Sequence, residues 1–134
     1  MQRVSHRNTQ EMKSIFISEF IYKTLSEGML GVKIGNMILP EDTALPAIVF
    51  EKNQHSITYN KECSEHLIGI SFIILANSYA KSLELADRVI ELFQGNKGIL
   101  EGVVVSYVKV KSTDEAFEDN TYLQRVDFEI KIFE

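Results

Sequence analysis

Tryptophan is absent from this chain, and cysteine occurs once, at Cys63. A single cysteine excludes an internal disulfide framework and suits a reducing cytoplasm. The longest uninterrupted apolar run is Phe72-Ile73-Ile74-Leu75-Ala76. A membrane-spanning helix needs about 20 such residues, so no membrane partner is expected. No apolar run follows Met1-Gln2-Arg3-Val4-Ser5-His6-Arg7, and no secretory signal is expected there. Excess positive charge is also missing. The 14 basic and 19 acidic side chains give a formal charge of −5, which disfavours nucleic acid as a partner, because phosphate recognition needs a basic face. There is no Gly-x-Ser-x-Gly, no glycine-rich phosphate loop before a helix and no His-Glu-x-x-His, so no classical catalytic motif is present.

What remains is ordinary globular material, 134 residues with 45% hydrophobic and 25% charged side chains. That length fits one domain able to bury roughly two-thirds of its unfolded surface. Residues 1–8 read as a flexible polar tail, and residues 9–134 as a single α+β domain. Thr9 is placed to cap a helix over about 9–28, with a stripe of Met12, Phe16 and Phe20 widened by Ile17, Ile21 and Leu25. Gly28 and Gly31 stop it. A short strand over 32–39 is broken by a Gly35-Asn36 turn. Pro40 and Pro46 then bracket the polar loop Glu41-Asp42-Thr43-Ala44-Leu45. Strands are expected from Ala47, over His55–Asn60, and over His66–Asn77, where Ile73 and Leu75 predict cover on both faces at the far end. Ser78 caps a helix over 79–94, with Leu83, Ala86, Val89, Ile90 and Phe93 lining its inner side. Strands over 101–112 and 121–133 close the chain. In the second, Tyr122, Gln124, Val126, Phe128, Ile130 and Ile132 alternate with Arg125, Asp127, Glu129 and Lys131, which are expected to face water. The fold class is therefore α+β, a mostly antiparallel sheet with two helices on one face, in the order α-β-β-β-β-α-β-β.

Candidate chemistry is sparse. Cys63 lies near His55 and His66, but the spacing matches no common zinc pattern, and a surface loop is the ordinary alternative. No metal or cofactor is expected. The charge, however, is unevenly placed. Residues 1–113 hold 12 acids and 12 bases, whereas 114–134 hold seven acids against Arg125 and Lys131, which accounts for all of the −5. Asp114, Glu115, Glu118 and Asp119 lack the residue order of a calcium loop. They read as a turn between strands, and with Glu41 and Asp42 they form the two candidate partner-interaction loops. Solvated connection and partner contact both stand as readings for each loop.

One local pattern is more specific. Pro46-Ala47-Ile48-Val49-Phe50 enters a strand directly from the proline-bracketed loop. Gly69-Ile70-Ser71-Phe72-Ile73-Ile74-Leu75-Ala76-Asn77-Ser78 passes straight into Tyr79-Ala80-Lys81-Ser82-Leu83-Glu84-Leu85-Ala86-Asp87. Together with the first helix and the two closing strands, this resembles the tail-completion and tail-terminator proteins of long-tailed bacteriophages over roughly residues 10–133. That family often has an aromatic residue where Leu75 stands here. The resemblance implies a phage or prophage virion protein, not an enzyme, that forms a hexameric ring capping the tail tube and helps join tail to head. The implied partners are other copies of the chain, the tail-tube protein and a head-completion or connector protein. Assembly would occur in the bacterial cytoplasm, with final residence in the virion tail. Two other classes stay open, a small cytoplasmic ligand-binding or enzymatic domain and an adaptor subunit of a contractile injection machine.

Overall fold

The computed structural model describes residues 12–98 and 101–134. The readings of residues 1–8 as a tail and of Thr9 as a cap lie outside these residues. A 3-10 turn, Lys13–Phe16, leads into helix α1, Ile17–Gly28. Strands β1 (Lys33–Asn36), β2 (Ala47–Tyr59) and β3 (Ser64–Ala76) follow. Helix α2 (Tyr79–Phe93) and strands β4 (Val104–Glu118) and β5 (Thr121–Phe133) complete the order. The five strands form one sheet in the order β1-β2-β3-β5-β4, and only β1 pairs in parallel. This is the expected α+β arrangement of two helices and a mostly antiparallel sheet. The stretches from Ala47 and from His55, read separately in the sequence, form the single strand β2, because a one-residue bulge at Asn53 lets pairing with β3 continue.

Period-2 alternation places Ile48 and Phe50 of β2, Ile68, Ile70, Phe72 and Ile74 of β3, and Val126, Phe128, Ile130 and Ile132 of β5 on one buried face. The Phe72 ring lies 6.2 Å from Phe50, 5.0 Å from Phe93 and 5.5 Å from Phe128. This aromatic cluster joins α2 to the sheet. Ser78 caps α2 as expected, its side chain accepting from the Lys81 N–H at 3.2 Å.

The helices bury most of the expected stripes, with Ala86, Val89, Ile90 and Phe93 of α2 in or against the core, but Phe16 and Leu83 fall outside it. In α1, Ile17, Ile21 and Leu25 are fully buried, while Phe16 is 38% exposed. Both candidate stripes step by four, so spacing could not choose between them; the 3-10 turn before Ile17 alters the phase of the helix. In α2, Ser82, Leu85, Val89 and Phe93 face inward, and Leu83 is 44% exposed. The first strand is shorter than expected. Gly35 and Asn36 belong to it, and the chain turns one residue later at Met37, whose φ is 73°.

The other sheet face carries no helix among the described residues. Ile73 and Leu75 are half-buried there, and no helix or further strand among the described residues supplies the expected second cover over the end of β3. Its central row, Glu51, Ser71, Asp127 and Ser112, is polar. No described helix is long and apolar enough to cross a membrane.

Candidate functional site

The two expected interaction loops have different outcomes. Glu41 and Asp42 do lie in a turn between Pro40 and Pro46, and both are exposed. Asp42 lines an open groove of about 620 Å³ with Tyr22, Leu30, Leu39 and Pro40. The acidic segment is not a loop. Asp114, Glu115 and Glu118 belong to β4, in register with Arg125, Gln124 and Thr121. Only Asp119 and Asn120 turn the chain, with φ of 51° and 60°. Two consecutive left-handed residues close the tight hairpin whose twist matches its strands, and Asp and Asn tolerate that conformation better than most side chains.

Side-chain direction further divides these acids. Glu115 points to the helix side, where its carboxylate accepts from Tyr79 Oη at 3.0 and 3.1 Å and from Gln124 Nε2 at 2.9 Å. The hydrogen bond to Glu115 raises the Tyr79 pKa. Tyr122 stacks near both Phe117, at 4.6 Å, and Tyr79, at 5.9 Å. Phe117 remains 57% exposed. Asp114 and Glu118 point to the opposite face, and neither has a salt-bridge partner among the described residues.

His55 and His66 are brought together, but Cys63 is not. Cys63 closes the turn before β3, where its N–H and its thiol both reach Asn60 Oδ1 at 3.1 and 3.5 Å. Among the described residues no group of three or more metal-ligating side chains is placed to hold an ion. The histidines instead form a directed hydrogen-bond chain. Lys52 Nζ stands 3.3 Å from His55 Nδ1, and an ammonium can only donate, so Nδ1 accepts and the His55 proton sits on Nε2. His55 Nε2 then donates to His66 Nδ1 at 2.8 Å. This leaves the His66 proton on Nε2, facing Ser64 Oγ at 2.8 Å and Glu134 Oε2 at 3.2 Å. Burial, then Lys52 and His66, lower the His55 pKa. The Glu134 carboxylate also accepts from Ser14 Oγ at 2.7 Å and from the N–H groups of Lys13 and Ser14. His66 is 0% exposed and His55 is half-buried. The chain fastens the 3-10 turn to the end of the sheet.

A second polar network lies on the open face. Ser71 Oγ donates to Asp127 Oδ1 at 2.5 Å, Ser112 donates to Oδ2 at 3.1 Å, and Arg125 Nε donates to Oδ1 at 3.1 Å. Burial raises the Asp127 pKa, but these donors outweigh it and the net direction is down. Beside it, Tyr107 Oη donates to Glu129 Oε2 at 2.7 Å, and Lys111 lies 3.3 Å from Oε1. That bond pushes the Tyr107 pKa up to about 12 and, with Lys111, holds Glu129 low. Asp127 and Glu129 are therefore paired groups, in contrast to their expected role as simple solvated positions.

This fold has a solved counterpart. A chain of the virion of a native gene transfer agent particle superimposes with a TM-score of 0.69, covering 85% of this chain and 92% of that one. Their sequences are 10% identical, so the likeness is one of fold. No protein-family model and no curated protein sequence matches the chain.

Sequence reasoning missed the anchoring roles of Ser14 and Glu134, which meet across 120 positions. No local pattern signals such a contact. The Asp127 network was more accessible, since Ser71, Asp127 and Ser112 fall in one cross-strand row once the register is known.

Proposed function

We propose that the chain is a structural protein of a phage-like particle, capping the tail tube as a six-membered ring and helping to join tail to head. The observation that carries this reading is the nearly end-to-end superposition on a virion chain, 85% of one and 92% of the other. The resemblance of residues 46–50 and 69–87 to tail-terminator proteins points the same way. In this reading the partners are further copies of the chain, the tail-tube protein and a head-completion or connector protein. The protein acts by assembly rather than turnover, which suits a molecule whose acids at 114–119 lie on an exposed strand and its turn. One subunit contact can be weak when six contacts and a tube end act together.

The test is deletion of the gene from the phage or prophage that encodes it, with particles viewed by electron microscopy. Headless or overlong tails are expected. Tails of normal length joined to heads in the deletion strain would end the reading.

A further inference from the structure

Strand β4 is the outermost strand on its side of the sheet, and the two halves of its outer edge are treated differently. Near its middle, the exit of α2 takes up that edge: Gly95 N–H donates to the Val108 carbonyl at 2.8 Å, and the Gln94 side chain accepts from Val110 N–H at 2.9 Å. Beyond the bulge at Lys111, every residue to Glu118 is exposed. The two-residue turn at Asp119 and Asn120 makes Glu118 and Thr121 a hydrogen-bonded pair. Alternation from that pair turns the N–H and C=O groups of Phe117, Glu115 and Thr113 away from β5. No described group bonds to them. Unpaired backbone of this kind is a template for another strand.

The side chains along the edge indicate which strand fits. Asp114 and Glu118 stand on the open face with Ala116 between them, and Glu115 and Phe117 occupy the helix face. None of the three acids has an ion pair among the described residues. Arg125, which faces Asp114 across the ladder, is engaged by Asp127, and Lys111 by Glu129. Glu115 accepts only from the neutral Tyr79 and Gln124. The same edge of a second copy is a poor occupant, because antiparallel pairing centred on Asp114, Glu115 or Ala116 sets acid opposite acid. The other outer strand, β1, has four residues and a single base, Lys33, and Ile38 and Leu39 crowd against its Gly35.

We propose that the edge from Thr113 to Glu118 receives an extended basic segment of a different protein, added antiparallel as a sixth strand. Two bases four residues apart on that segment face Asp114 and Glu118, with a small residue between them over Ala116. On the helix face an arginine meets Glu115, and an apolar residue covers the exposed Phe117 ring. Main-chain bonds to Thr113, Glu115 and Phe117 supply affinity, and the acids select the segment by charge. The same acids keep identical copies from joining edge to edge. Such docking does not depend on the tail-capping role, so either can fail without the other.

The probe is the peptide Thr-Lys-Val-Thr-Arg-Lys-Thr, blocked at both ends and titrated into isotope-labelled full-length protein by NMR. In the antiparallel register its lysines face Glu118 and Asp114, its valine Phe117 and its arginine Glu115. Saturable shifts centred on residues 112–118 are expected, with slowed exchange of the Thr113, Glu115 and Phe117 N–H groups. Methylating the valine and arginine nitrogens keeps every charge but removes two N–H groups aimed at the edge, and should weaken binding at least several-fold. Asp114→Lys with Glu118→Lys should reject the peptide and accept one with glutamate in place of both lysines. Absence of saturable shifts up to the solubility limit would overturn the proposal. So would equal binding of the methylated peptide, which would mean charge contact without strand pairing. Slow exchange of the three N–H groups in the monomeric protein alone would also overturn it, because another part of the chain would then already fill the edge.

Discussion

His55 gives the molecule a pH response with a definite sign. Its pKa is lowered from 6.5 by burial, by Lys52 and by His66, so the folded state binds this proton less readily than the unfolded chain does. The stability associated with His55 is therefore fully present above 6.5 and declines as pH falls through that value toward the folded pKa. Urea midpoints should fall between about pH 8 and pH 5.5, and His55→Gln should fall less over the same interval. Asp127 and Glu129 act at lower pH. Their stabilisation is present above 3.8 and 4.5 and is lost as pH drops below those values. Glu134 provides a second residue-level test. Glu134→Ala leaves the His66 Nε2–H to Ser64 Oγ alone, and it strips the acceptor from the hydroxyl of the buried Ser14 and from the N–H groups of Lys13 and Ser14. A loss of about 1–3 kcal/mol is expected in chemical denaturation, the usual cost of leaving a buried donor unsatisfied. A midpoint unchanged from wild type would mean that water replaces the carboxylate.

At the level of elements, the sequence displayed periodicity well and phase poorly. The alternation of β5 from Tyr122 to Ile132 and the Ser78 cap of α2 were directly legible, because each is fixed by neighbours in the chain. The inward face of α1 was not, and in α2 Leu83 was placed on the wrong side while Val89 and Phe93 were placed correctly. Both helices carry apolar residues over more than one stripe, and only the strands beneath decide which stripe is buried. The acidic half of β4 was misread for a related reason. Charged residues suggest a loop, yet pairing with β5 satisfies the backbone whatever the side chains carry. Strand β1 gives the sharpest test at this scale. A methyl group on Gly35 would strike the backbone carbonyl of Ile38 and the Leu39 side chain, and backbone cannot swing aside as a side-chain tip can. Gly35→Ala should therefore cost about 1–3 kcal/mol, although the residue is not in the aromatic core. Phe128→Ala, which opens a hole between Phe72 and Phe93, should cost about 3–5 kcal/mol. Equal stability of either variant with wild type, by calorimetry, would show that the site repacks.

For the whole molecule, the sequence located most of the fold and little of the site, since the cross-strand rows that assemble the polar networks depend on register. The acids that carry most of the uneven charge belong to two surfaces and should separate on mutation. Asp114→Asn with Glu118→Gln touches no described salt bridge and should alter stability by no more than about 0.5 kcal/mol, while weakening the salt dependence of association. Glu115→Gln disturbs the acceptor shared by Tyr79 and Gln124 and should lower the melting temperature. If all three behave alike in parallel melts and sedimentation runs, the division of faces is wrong.

The placement of β5 between β3 and β4 also sets a timetable for folding. Ser71 meets Asp127 across 56 positions, whereas Glu118 meets Thr121 around a two-residue turn. A local hairpin closes in about 1–10 µs, long before a distant strand pair overcomes its loop entropy. The β4–β5 ribbon is thus expected to form early and dock onto β3 as a preformed unit. Asn120→Ala, which strains the ribbon's turn, should slow refolding in stopped-flow experiments more than it accelerates unfolding. The opposite partition would place the engagement of β3 ahead of the hairpin.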